Sequence, residues 1–268
     1  MARVVILGCG WLGTQLGIAL AQQGHQVWGS RRSPERLAAL PAAIRPLLWD
    51  GQSAPDAGIT GLFDDSWLIL AMPPAAAQDG GTAYLAALRR VLAGSAKVRQ
   101  LVLCSSSSVY AGLAGVVAEA DAPGPDPRAA VLWQAEQAVL QQSNSLVLRL
   151  AGLVGPGRHP AAFARRGLMA GADVPVNLVH SADICQWLLL FMATPAQVPG
   201  RIVNLCAPLH ANKSQFYQAA CLDQGKPAPQ FTAATEPARQ VDARLSLTLA
   251  DFQYRYADTI SILAACRP

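Results

Sequence analysis

Three groups of residues in this chain have types and spacing that could do chemistry. The first is Gly8-Cys9-Gly10-Trp11-Leu12-Gly13, a GxGxxG loop between an apolar run and an amphipathic one. There Gly8 permits a tight turn, Gly10 lets backbone approach a phosphate, and Gly13 lets a helix pack on a strand. A helix entered through Trp11 and Leu12 would aim free N–H groups and a positive dipole end at an anion. The second group is Ser30-Arg31-Arg32. A site for an unphosphorylated ribose ordinarily places Asp or Glu there, and this chain has none. Its hydroxyl and guanidinium donors suit a 2′-phosphate instead, so the expected cofactor is NADP (NADPH) in preference to NAD. A solvated basic loop is the plainer alternative. The third group is Ser105-Ser106-Ser107-Ser108. Ser106 could polarise a carbonyl and Ser105 would lie beside the cofactor, although a serine run also satisfies backbone groups at a strand end.

These residues need a scaffold, and the apolar pattern supplies one. Short β-like runs occupy 3–7, 25–30, 44–49, 66–71, 99–105 and 145–150. Between them, 11–23, 80–92 and 128–142 repeat apolar residues at three and four. Apolar strands alternating with helices predict a parallel sheet covered on both faces, which right-handed crossovers make a doubly wound Rossmann α/β fold. Asp50, after the third run, could accept from an adenine amino group or cap its own loop. Ala71, Met72 and Pro73 close the fourth run and would pass under the ribose and pyrophosphate. After Gly152 the pattern loosens, with a strand at 176–179, a helix at 181–192, a strand at 201–205 and a helix at 213–222. The expected organisation is a cofactor-binding core over 1–152 and a smaller substrate-side α/β lobe over 153–268. That lobe is not an independent domain, since 176–205 packs on the core.

Bulk properties exclude several classes. The chain has 268 residues, 52% of them hydrophobic and 14% charged, which is incompatible with disorder. A net charge of +4 without a dense basic run argues against a nucleic-acid surface and leaves a small-molecule substrate as the expected partner. The apolar run from Trp187 to Ala193 is too short to span a bilayer. Six scattered cysteines form no CxxC pair, so neither a metal site nor a disulfide framework is expected, and a reducing cytoplasm fits.

Several segments, in order, resemble the extended and atypical short-chain dehydrogenase/reductases, also described as NAD(P)-dependent epimerase/dehydratase-like. They are the glycine loop, Ser105 to Tyr110, Arg149 to Arg158, Asn177 to Asp183, and Val203-Asn204-Leu205. The resemblance implies a homodimer, and it implies a Tyr that exchanges a proton with the substrate, a Lys four residues on, and a Ser that matches Ser106. Here Ala130 and Gln134 stand at the Tyr and Lys positions, and Tyr-x-x-x-Lys occurs nowhere in the chain. Gly152 replaces the usual Asn. The acids that remain are Tyr110, the nearest tyrosine, and His159, which titrates near neutrality. Arg158 and Arg165 could hold an anionic substrate, Trp133 could narrow the pocket, and His180 with Asp183 reads as a structural tie. Three functions follow as expectations. They are an NADP(H)-dependent oxidoreductase with non-standard catalytic residues, an NADP(H)-binding redox sensor without turnover, and a sugar-nucleotide epimerase or dehydratase.

Overall fold

A computed structural model describes residues 1–74, 79–164, 168–195, 201–235 and 237–267. In chain order the elements are β1 (Arg3–Leu7), α1 (Trp11–Gln22), β2 (Gln26–Arg31), α2 (Pro34–Ala38), β3 (Arg45–Leu48), α3 (Ala57–Thr60), β4 (Trp67–Leu70), α4 (Thr82–Ala93) and β5 (Gln100–Ser106). They continue with β6 (Gly115–Val117), α5 (Pro127–Leu140), β7 (Ser145–Leu150), β8 (Gly152–Val154), β9 (Leu168–Ala170), β10 (Leu178–His180) and α6 (Ser181–Ala193). Last come β11 (Ile202–Leu205), α7 (Lys213–Asp223), β12 (Gln230–Thr232) and β13 (Arg239–Val241).

Seven strands form a parallel sheet in the order β11-β7-β5-β4-β1-β2-β3. Val4, Val5, Ile6 and Leu7 are fully buried, as a strand covered on both faces requires. Register is fixed by pairs such as Val5↔Leu68 and Leu70↔Leu103. The chain winds outward from β1 through β2 and β3, then returns to β4 on the other side of β1. The strand order therefore reverses between β1 and β4, where such sheets open a ligand crevice. The expected doubly wound fold is what the structure has. No helix among the described residues is long and apolar enough to cross a membrane.

Helix starts follow local chemistry. Ser33 accepts from Arg36 N ahead of Pro34, Asp126 accepts from Arg128 N ahead of Pro127, and Asn212 forms a reciprocal capping box with Gln215.

The chain divides into two compact units. One comprises Met1–Val109, Asp126–Arg149 and Gly200–Ile202, and the other Tyr110–Pro125, Leu150–Pro199 and Val203–Pro268. The two units are interleaved along the chain. In the first unit Val5, Leu7, Phe63, Leu68, Leu88, Leu101 and Val147 share one core. Into this unit Glu136 of α5 and Arg149 of β7 bring opposite charges, both at 0% exposure and 2.8 Å apart. Ser105 donates to Glu136 Oε1 at 2.5 Å, so three elements meet on one carboxylate. In the second unit, three two-stranded parallel pairs (β8 with β10, β9 with β12, β6 with β13) frame a core containing Val154, Leu178, Phe216 and Ile262.

Asp183, 1% exposed in the first turn of α6, accepts from Arg255 N at 2.8 Å. Burial pushes its carboxyl up to about 6, against the pull of the Arg255 and Tyr256 backbone N–H groups.

Two stability predictions follow. Glu136→Ala leaves the Arg149 charge buried without its partner, and urea unfolding is expected to show a loss of about 3–5 kcal/mol. For Asp183, the folded state keeps a proton that the unfolded chain releases near pH 4. Stability should therefore fall as pH rises from about 4 to about 6, by about 3 kcal/mol, and level off above. Asp183→Asn should flatten this slope in melts taken at intervals across that window.

Candidate functional site

The glycine loop follows β1 and is shaped by steric closeness. Gly8 has φ +88°, and a Cβ there would lie 2.7 Å from Met72 N, so both conformation and space exclude a side chain. Its N–H donates to Ser30 Oγ at 2.9 Å, and Gly10 N–H donates to its carbonyl at 2.7 Å. Gly13 is the close-packing glycine, since a Cβ would meet Gly8 O at 2.8 Å and Ile6 Cγ2 at 3.2 Å. Gly10 differs. It is the N-cap of α1 with φ −76°, and a Cβ there meets nothing nearer than Gly8 O at 3.9 Å. No side chain caps α1, so the backbone donors of its first turn, such as those of Leu12 and Gly13, can meet an anion.

Beside this loop, at the C-terminal ends of β1 to β4, lies an open cavity of about 600 Å³. Its walls include Gly8, Cys9 and Gly10, Ser30 to Arg32, Trp49 to Gln52, and Met72 to Pro74, with Tyr84 and Ala87 of α4. Of the cofactor residues expected from sequence, Gly8, Gly10, Ser30, Arg31, Arg32, Asp50, Met72 and Pro73 line this cavity, while Trp11, Leu12, Gly13, Ala71 and Ser105 do not. Ala71 supports from behind: its N–H bonds to Leu7 O at 2.8 Å and its carbonyl carbon abuts Gly8. Ser105 is turned away, its hydroxyl donated to Glu136. Cys9 is buried and its thiol pKa is pushed up by burial, so it packs as a small apolar residue.

Two of the expected residues in the cavity have hydrogen-bond partners within the protein. Ser30 is 3% exposed and accepts from Gly8 N, so it braces the glycine loop. Asp50 Oδ1 accepts from Gln52 N, Ser53 N and Ser53 Oγ at 2.8, 2.8 and 2.9 Å, which holds its carboxyl below the usual range. The loop-capping reading of Asp50 is therefore the one the geometry carries.

The basic corner is larger than expected. Arg31 Nη2 donates to Thr14 Oγ1 at 3.1 Å, and its Nε is buried with no hydrogen-bond partner among the described residues. Arg32 lines the cavity, and so does Arg36 of α2. Arg36 was missed because it follows the strand-end motif by four residues. Its signal was the helix start Ser33-Pro34-Glu35-Arg36, which brings the first turn of α2 back over the end of β2. The cavity therefore fits a dinucleotide phosphate, with an uncapped helix end, an open position at Gly10 and an unsatisfied guanidinium N–H.

The catalytic candidates do not assemble in the same way. Ser106, half-buried at the end of β5, accepts from Ser108 N at 3.1 Å, as strand-end serines do. Tyr110 is fully buried and its hydroxyl donates to Asn204 Oδ1 at 2.9 Å; this corrects its candidacy as an acid, because its proton is committed in the second unit's core. His159, also in the second unit, caps the turn at 160–162 by accepting from Ala161 N, and its Nε2 lies 3.2 Å from Asp223 Oδ2. Burial lowers the His159 pKa while Asp223 opposes the shift, and Arg267 holds the Asp223 carboxyl down to about 2. This is the geometry of a tie between the 160–162 turn and the end of α7.

Ala130 and Gln134 are exposed on α5, and Trp133 is half-buried with Arg149 5.8 Å from its ring centroid. Arg158 donates to Leu153 O at 2.9 Å and lies over Phe163. Arg165 is outside the described residues. No group of three His, Cys, Asp or Glu side chains suited to a metal occurs among the described residues.

The glycines give a test that separates ligand binding from scaffolding. Gly10→Ala should keep the thermal midpoint, because its Cβ makes only an ordinary contact with Gly8 O at 3.9 Å, yet weaken dinucleotide binding if a phosphate approaches this backbone. Gly8→Ala should lower the midpoint and binding together.

Residues 3–84 match the family described as NADP oxidoreductase coenzyme F420-dependent. Protein YeeZ of Escherichia coli (strain K12) is 30% identical over 271 residues, spanning 97% of this chain and 98% of that protein. A functionally unknown conserved protein from Silicibacter pomeroyi is 26% identical with a TM-score of 0.79, over 99% of this chain and 98% of that one. The UDP-glucuronic acid 4-epimerase from Bacillus cereus, solved with UDP-glucuronic acid and NAD, shares the fold at a TM-score of 0.80 and 16% identity, over 98% and 97% of the two chains. With a glycine loop, a doubly wound sheet and a relative aligned over almost its whole length, the chain belongs to the family of protein YeeZ, on the NAD(P)-binding Rossmann fold.

Proposed function

We propose that the chain is an NADP(H)-dependent oxidoreductase of the atypical short-chain dehydrogenase/reductase type, acting on a small carbonyl or sugar-related substrate. One observation carries this reading. Three guanidinium side chains, Arg31, Arg32 and Arg36, line the cavity at the end of β2, and no carboxylate closes that strand to hold an unphosphorylated ribose. Gly8, Gly10 and the first turn of α1 would seat the pyrophosphate, and Met72 with Pro73 would run beneath the ribose. When bound, the cofactor supplies or takes up a hydride. This chain's part is then to hold the phosphates at the close-packed ends of β1 and β4 and to offer Ser106 as a polarising hydroxyl.

A second reading, an NADP(H)-binding sensor without turnover, is favoured by the other half of the site. Ala130 and Gln134 have no transferable proton to offer in place of Tyr and Lys, and Tyr110 donates to Asn204.

One experiment addresses both. Purified protein is titrated with NADPH and NADH, then NADPH consumption is followed with aldehydes, ketones and sugar nucleotides. The oxidoreductase reading expects NADPH to bind at least about tenfold tighter than NADH, as a charge-paired phosphate implies, and to be consumed with some substrates. Tighter binding of NADH sinks the cofactor assignment, while tight NADPH binding without consumption across the panel selects the sensor.

A further inference from the structure

We propose that Thr14 sets the discrimination between NADPH and NADH by positioning Arg31, an inference that rests on the NADP(H) reading above. Thr14 stands in α1 one residue past Gly13, where the phosphate loop passes into helix. Its hydroxyl has one proton, which goes to the carbonyl of Cys9 at 3.2 Å. The hydroxyl's remaining capacity is to accept, and Arg31 Nη2 donates to it at 3.1 Å. A guanidinium is a rigid planar fork, so fixing one nitrogen fixes the direction of the others.

Of the two remaining nitrogens, Nε of Arg31 is buried and without a hydrogen-bond partner among the described residues. A buried donor of this kind is costly, and a bound acceptor relieves the cost. Arg31 lines the same cavity as Arg32 and Arg36. Those two are exposed, long and mobile in rotamer, so they attract a phosphate without defining where it sits. Arg31 is half-buried and held at one end. It is the cation whose geometry can distinguish a 2′-phosphate from a 2′-hydroxyl, and Thr14 is what holds it.

Thr14 is thus a positioning residue, and its signature is a change in ratio. NADH has no 2′-phosphate to meet the Arg31 fork, so loss of the Thr14 hydroxyl leaves its binding where it was. A residue that merely supported the Cys9 turn would weaken both cofactors together, because both place their pyrophosphate on that loop.

The test measures dissociation constants for NADPH and NADH separately on the full chain, by quenching of intrinsic tryptophan fluorescence, with a thermal melt for each variant. Thr14→Val removes the hydroxyl at constant shape, Thr14→Ala is a second deletion should valine disturb folding, and Thr14→Ser restores the hydroxyl. The deletions should weaken NADPH about tenfold and change NADH by less than about twofold, with Thr14→Ser close to the unmodified chain. Equal weakening of both cofactors, or an unchanged ratio in a folded variant, overturns the proposal. Should the unmodified chain itself show no preference for NADPH, the NADP(H) reading fails and this inference with it. Should that preference exist and survive both deletions, only the role of Thr14 is lost.

Discussion

The site depends on a close backbone approach at Gly8. Its left-handed conformation and its contact with the backbone of Met72 bring the ends of β1 and β4 together without a side chain between them. Ser30 then ties the end of β2 to the same residue through Gly8 N. Three strand ends are thereby locked to one glycine, and α1 must leave the loop in the direction that points its uncapped N-terminus into the cavity. The reversal of strand order between β1 and β4 opens a crevice, and the Gly8 contact determines what its floor is made of.

Polar groups around that floor divide by what they face. Ser30, Asp50 and Ser105 satisfy the protein: a backbone N–H, a turn and a buried carboxylate. The arginines at the end of β2 line the cavity, and one of them carries a donor without a partner among the described residues. Buried polar groups are ordinarily paired, so an exception at a cavity wall marks where a ligand completes the structure. The same reasoning explains why the serines of β5 are weaker evidence. Ser105 donates to the buried Glu136 and Ser106 accepts from Ser108 N, so both already have protein partners.

Much of this was legible in the sequence because it rests on local rules. The runs around Val4 and Leu68 could only be strands buried on both faces, and GxGxxG between strand and helix admits few other readings. Arg36 was not legible, since its relevance depends on α2 folding back over β2. The role of Ser30 was hidden for a similar reason: whether a hydroxyl braces backbone or meets ligand is a matter of ångströms. Nor did pattern reveal the pairing of β6 with β13, three residues at 115–117 against three at 239–241. Such short strands carry no periodicity, and their partners are set by tertiary contact alone. Glu136 and Arg149 were likewise unreadable as a pair, since charge at a core position becomes sensible only once the partner is seen at 2.8 Å.

The interleaving of the two units bears on how the chain is made. Strands β1 to β5 and β7 have emerged once residue 150 is synthesised, yet β11, which completes the sheet's edge, begins at Ile202. The second unit must wait longer still, because β6 pairs with a strand that ends at Val241. A nascent chain therefore carries an uncovered sheet edge and an unpartnered 115–117 segment through much of its synthesis. Long-range pairing of this kind slows folding and lengthens exposure to wrong partners. A truncation near residue 152 would leave that edge open permanently, so the dinucleotide half of this protein cannot be isolated by a single cut of its chain.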